Sequence, residues 1–127
     1  GRESDAVFGT IDFMPTFANL SDFKVPADRV IDGIDQTDLL LGKSETGRET
    51  FYFDRAGIRK GKWKYLKAKA HFYGYAREDD RPVEEELYDL EKDLGETTNL
   101  AKKHPNVVAE LRKLTEELPT YRPDERR

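Results

Sequence analysis

The sequence predicts an α+β fold: a small four-stranded antiparallel sheet covered by a C-terminal helix, with short helices ahead of it. Three observations predict it. Apolar residues keep helical spacing up to Gly47, and from Thr50 the pattern changes to short aromatic strands. The stretch "AGIRKGKWKYLKA" reads as a hairpin, with Trp63 and Tyr65 two apart and lysines mostly opposite. Behind Pro105, the residues Val107, Val108, Leu111, Leu114 and Leu118 recur at helical intervals.

Taken in order, "SDAVFGTIDFMPTFANLSDF" places Ile11, Phe13, Met14, Phe17 and Leu20 on one helical face. Asp12 suits the cap of that helix, and Pro15 is tolerated in a first turn, where its missing N–H is not needed. "KVPADRVIDGIDQTDLLLGK" carries turn signals at Pro26 and Asp32-Gly33; Asp35 can cap a short helix that Gly42 ends. Residues 44–49 read as a polar loop. "FYFD" gives the first strand, Ile58 and the Trp63–Tyr65 arm the next two, and "ELYDL" the fourth, with Leu87 and Asp89 on one side and Tyr88 and Leu90 on the other. Between them lies "HFYGYAREDDRPVEE", without regular pattern. In "ELYDLEKDLGETTNLAKKHP" the charged turn resists burial, and Gly95 can take a positive φ. Asn99 and the threonines can bond backbone groups on the way to the last helix. Trp63 and Tyr88 are expected on the sheet face covered by Val108, Leu111 and Leu114. Pro119 ends the helix, and the rest is a tail.

Composition narrows function. With 22 basic and 26 acidic residues the net charge is −4, which argues against a nucleic-acid partner. No apolar run approaches a membrane span, so no membrane partner is expected, and "GRESDAVFG" does not read as a signal peptide. Without cysteine the chain has no disulfide, thiol nucleophile or cysteine-based zinc site.

Candidate sites are few. Asp32, Asp35 and Asp38 are spaced like a calcium loop, but the bidentate Glu is missing, so turn and cap roles fit better. His71 and His104 are isolated, and no spacing makes a carboxylate pair of Asp12, Glu49 and Asp54. No catalytic and no metal-ligating residue is assigned. Lys67, Lys69, His71, Tyr73, Tyr75 and Arg77 could contact a sugar and an anionic group; the competing reading is of solubilising lysines and sheet-packing aromatics.

Four segments, in order, carry a resemblance. "TIDFMPTFANLS", "VIDGIDQTDLLLGK", "AGIRKGKWKYL" and "ELYDLEKDLGETTNLA" with its following helix resemble the C-terminal region of the formylglycine-dependent, arylsulfatase-like sulfatases, out to about Leu118. Leu94 stands where that family usually has proline. The resemblance implies helices left from a catalytic α/β domain over residues 1–46, a C-terminal subdomain over 47–118, and a tail over 119–127. It implies a parent that hydrolyses sulfate esters with a formylglycine and calcium, but Ser4, Ser21 and Ser44 do not begin the family's Cys/Ser-x-Pro-Ser/Ala-x-Arg motif, so nothing catalytic carries over. The expected partner is the missing N-terminal catalytic domain. A homodimer is a second expectation, since the face of Ile11, Phe13, Met14, Phe17 and Leu20 would otherwise meet water. The compartment stays open, periplasmic or extracellular if the parent is exported. The alternative is a free-standing carbohydrate- or protein-binding module.

Overall fold

The computed structural model describes residues 1–68 and 84–118. The chain divides into two compact units, Gly1–Phe51 and Tyr52–Arg127. In the first, a single 3-10 turn (Thr10–Asp12) runs directly into α1 (Phe13–Leu20), and α2 (Thr37–Leu40) is one turn long. Gly42 follows α2 with φ of 72°, the left-handed end expected there. Asp35 acts beside α2, its carboxylate accepting the Thr37 N–H at 2.9 Å, although the helix-capping residue itself is Gln36.

A four-stranded sheet in sequence order, β1 (Thr50–Phe53), β2 (Gly57–Lys60), β3 (Trp63–Leu66) and β4 (Glu86–Asp89), lies in the second unit except for Thr50 and Phe51 at the start of β1, and α3 (Pro105–Glu116) follows it. The hairpin pairs Ile58 with Tyr65 and Lys60 with Trp63, and β3 pairs antiparallel with β4, Tyr65 opposite Leu87 and Lys64 opposite Tyr88. Gly57 is needed at the start of β2 because a Cβ there would lie 2.2 Å from the Tyr65 carbonyl oxygen.

That register decides the core. Ile58, Tyr65 and Leu87 stand side by side on one face and meet Val108 and Leu111 of α3, with Tyr52, Trp63, Ala101, Val107 and Leu114 packed around them. Trp63 is on the expected face. Tyr88 is not: strand alternation turns it away from Leu87 and onto the opposite face beside Lys64, where it is nevertheless buried. Leu87 takes the place against α3 that the sequence reading gave to Tyr88.

β4 lies at the edge of the sheet, where unpaired backbone groups are a liability. The joint that follows covers them. Asn99 Oδ1 accepts the N–H of Leu87 at 3.1 Å and that of Ala101 at 2.9 Å, and Asn99 Nδ2 donates to the Glu85 carbonyl at 3.0 Å. The Leu100 N–H then takes the Leu87 carbonyl at 2.7 Å. Within the turn, the Asp93 carboxylate accepts the Thr98 N–H and the Thr97 hydroxyl. The positive φ falls on Glu96, at 55°, and not on Gly95. α3 opens with Pro105 in its first turn, as expected, and ends at Glu116, short of Leu118.

Leu111 is 1% exposed in the centre of this core. Leu111→Ala is expected to destabilise the second unit by about 2–5 kcal/mol in denaturant titration followed by Trp63 fluorescence. A loss of a few tenths would mean that α3 contributes no packed core.

Candidate functional site

A carboxylate centre stands out in each unit, Asp12 in the first and Glu85 in the second, beside the buried Asp89, which Lys62 meets at 2.9 Å. In the first unit, Asp12 follows Ile11 into the start of α1 with its side chain fully buried. It stands at the N-cap position of α1, but its side chain makes no capping hydrogen bond. Its Oδ2 accepts the Gly9 N–H at 2.9 Å and its Oδ1 the Ile34 N–H at 2.9 Å. Arg48 Nε lies 2.8 Å from both oxygens, and its Nη2 reaches Oδ1 at 2.6 Å and the Asp32 carbonyl at 2.5 Å. One carboxylate thus ties together residues 9, 34 and 48. Gly33 permits the close approach this needs, since a Cβ there would lie 2.1 Å from the Ile11 carbonyl oxygen. Nearby, the buried Thr16 hydroxyl accepts the Gln36 N–H at 3.0 Å, and the Val7 carbonyl takes the Arg48 N–H at 2.9 Å. Burial alone would push the Asp12 carboxyl up. The Arg48 guanidinium and the two backbone N–H groups outweigh it and hold the carboxyl down at about 2.

In the second unit, Glu85 joins β3 to α3. The Tyr65 hydroxyl, on a completely buried ring, donates to Glu85 Oε1. Arg112 grips the same carboxylate with Nε to Oε1 at 2.7 Å and Nη2 to Oε2 at 2.6 Å. The Arg112 fork holds Glu85 below the usual carboxylate range against the upward push of burial, with the Tyr65 hydroxyl and the charges of Arg112 and Lys67 assisting. Burial, then the anionic Glu85, raise the Tyr65 phenol. Glu85 in turn raises Arg112. All three groups are therefore pinned in their ordinary charge states, which suits fastening an element and not passing a proton.

Lys67, the described member of the substrate-contact set, leaves β3 with its N–H bonded to the Ala56 carbonyl at 2.8 Å. Lys69, His71, Tyr73, Tyr75 and Arg77 lie outside the described residues. His104 packs its ring on Trp63, centroids 5.0 Å apart. Among the described residues no three His, Asp or Glu side chains come together as a metal site. Asp35 is instead engaged by Thr37 and Asn19, and Asp38 lies 4.0 Å from Lys43. Ser21 donates its hydroxyl to the Phe17 carbonyl at 2.6 Å, ending α1, and Ser44 pairs with Thr46.

The sequence reading missed Arg48, Glu85 and Arg112. Arg48 sits in an unpatterned polar loop, 36 residues from its carboxylate. Glu85 is the middle of three consecutive glutamates, and Arg112 reads as an ordinary solvent-facing helix residue.

No family model matches the chain. It is 35% identical over 126 residues to N-acetylgalactosamine-6-O-sulfatase of Bacteroides thetaiotaomicron, a match that takes in 94% of this chain and 25% of that protein. It is 30% identical over 126 residues to Arylsulfatase G of Rattus norvegicus, covering 88% of this chain and 24% of that one. A solved structure from work on glycosaminoglycan metabolism by Bacteroides thetaiotaomicron superposes with a TM-score of 0.72 at 34% identity, over 91% of this chain and 25% of its own. The chain thus spans about a quarter of the length of the relatives it matches.

A carboxyl held at about 2, against an ordinary value of 3.8, stabilises the fold fully above the ordinary value and loses that contribution as pH falls through the lower one. The amide proton shifts of Gly9 and Ile34 are therefore expected to titrate together with a midpoint near 2, followed by NMR. Arg48→Ala is expected to move that midpoint up and to destabilise the unit by about 3–5 kcal/mol, because it strands a buried charge. A midpoint near the ordinary value in the unaltered chain would contradict the buried ion pair.

Proposed function

The chain belongs to the sulfatase family, and on that premise we propose that it is the C-terminal structural region of an enzyme that hydrolyses sulfate esters of sugars. One observation carries the reading: 94% of this chain aligns with 25% of an N-acetylgalactosamine-6-O-sulfatase. A segment that occupies a quarter of its relatives, and whose Asp12 and Glu85 centres are engaged in fastening its own elements, reads as a supporting part of a larger hydrolase.

In this reading the parent's nucleophile is a formylglycine and its cation calcium, both held by polypeptide beyond this segment. The cation would polarise the sulfate. The described residues do not fit as its ligands, because no three of their acidic or histidine side chains converge and the carboxylates of Asp12 and Glu85 are already engaged by arginines, a hydroxyl and backbone N–H groups. What this chain supplies is rigidity. The Tyr65–Glu85–Arg112 cluster fastens α3 to the sheet, and Asn99 closes the edge of β4. Residues 47–118 act as the C-terminal subdomain and residues 1–46 as the end of the catalytic domain.

A substrate-contact role for Lys67, Lys69, His71, Tyr73, Tyr75 and Arg77 belongs to the same proposal. A sulfated sugar offers an anion to lysine and arginine and an apolar ring face to tyrosine. The position of Lys67, two residues past the anchored Tyr65, supports a firm base for this set.

Two preparations test the function. The chain alone is expected to release no sulfate from an aryl sulfate, with or without calcium. A chimera in which it replaces the matched quarter of the Bacteroides sulfatase is expected to be active. Turnover by the free chain, abolished by a single substitution within it, would contradict the reading, as would a folded but inactive chimera.

A further inference from the structure

The ladder of β3 and β4 ends with Leu66 opposite Glu86, and one residue further Lys67 and Glu85 stand at the same end of the sheet. Strand alternation gives Lys67 the side of Tyr65 and Glu85 the side of Leu87, which is the face that meets α3. A lysine and a glutamate so placed ordinarily form a cross-strand ion pair. Here they do not. Arg112 of α3 takes both Glu85 oxygens, Nε on Oε1 at 2.7 Å and Nη2 on Oε2 at 2.6 Å, and the Tyr65 hydroxyl donates to Oε1 as well. Among the described residues no carboxylate pairs with the Lys67 ammonium, although its charge is felt at Glu85. The lysines before it on the hairpin are each spent, Lys60 on Glu110 at 2.7 Å, Lys62 on Asp89 at 2.9 Å and Lys64 on Glu96 at 2.6 Å.

The two cations compete unequally for Glu85. A guanidinium fork matches a carboxylate with two parallel bonds, whereas an ammonium is a point charge on a flexible stem. Arg112 is also held in place, since its neighbour Leu111 is buried in the core under α3. Lys67 therefore keeps its charge without an anion beside it. It does so at the margin of the core, where the Arg112 and Glu85 side chains are 43% and 31% exposed and a ligand has access.

We propose that Arg112 is a positioning residue for the anion contact of Lys67: by occupying Glu85 it keeps the Lys67 ammonium free to receive the negatively charged group of a sulfated sugar. The inference rests on the sulfatase reading, with Lys67 as a substrate contact, and adds what keeps that contact available.

Two measurements test it. In the free chain, acetylation by an amine-reactive reagent, read by mass spectrometry, is expected to label Lys67 about threefold more slowly in Arg112→Ala than in the unaltered chain, because the vacated carboxylate captures the ammonium. Arg112→Ala/Glu85→Gln is expected to restore the rate, since glutamine keeps an acceptor for the Tyr65 hydroxyl and removes the competing charge. Arg112→Lys, a cation without the fork, is expected to fall between them and gives the same reading if the alanine variant does not fold. In the Bacteroides chimera, acting on the sulfated sugar that the Bacteroides enzyme hydrolyses, Arg112→Ala is expected to raise KM about threefold at unchanged kcat. The double variant is expected to bring KM back. If Arg112 were merely structural, the double variant would be no better than Arg112→Ala, and that result would overturn the proposal. So would Lys67 labelling that is unchanged in both Arg112→Ala and Arg112→Lys. A folded but inactive unaltered chimera sinks the sulfatase reading alone, and the labelling then still decides whether Arg112 keeps Lys67 free.

Discussion

The carboxylate of Asp12 has no water to turn to, and that single burial dictates the arrangement of the first fifty residues. A buried charge must be paired and hydrogen-bonded or it destabilises the fold by several kcal/mol. Asp12 meets the demand with Arg48 and with backbone N–H groups of Gly9 and Ile34, segments that share no local structure. Drawing them together turns the polar side of α1 inward. The rings of Phe13 and Phe17 are left facing out. A unit held this way keeps its shape without a large apolar core of its own.

The second unit solves the same problem by ordinary means. Its core is apolar and its own, Ile58, Tyr65 and Leu87 against Val108 and Leu111, and its carboxylate centre lies at the margin of that core. Glu85 and Arg112 are partly exposed, so their ion pair contributes less than its geometry suggests, and its specific service is to give the buried Tyr65 hydroxyl a partner. Of the two units, the second is therefore the one equipped to fold alone.

The sheet and α3 were legible because period-two and period-3.6 patterns survive in a single sequence, and the hairpin and Pro105 mark their ends. The face of β4 was not legible. Leu87 and Tyr88 are both buried, so "ELYDL" carries no alternation, and the side that meets α3 is chosen by the pairing of Leu87 with Tyr65. Asp12 stands at the expected N-cap position of α1, but the use of its carboxylate was not legible, because Arg48 is 36 residues away and sits in a loop with no pattern. Glu85 and Arg112, 27 residues apart, escaped for the same reason. Long-range polar pairing leaves no periodic trace, whereas the four ordered segments of the sulfatase resemblance do, and the sequence and fold relatives agree with them.

The two units differ in what holds them, buried polar pairing in the first and an apolar core in the second. Native-state amide hydrogen exchange on the free chain measures this directly. The amides of Ile58, Tyr65 and Leu87 are predicted to exchange only through global unfolding of the second unit, while those of Ile34, Gln36 and Leu40 exchange through openings of much lower free energy. Equal protection across both sets would show instead that the first unit has a complete core of its own.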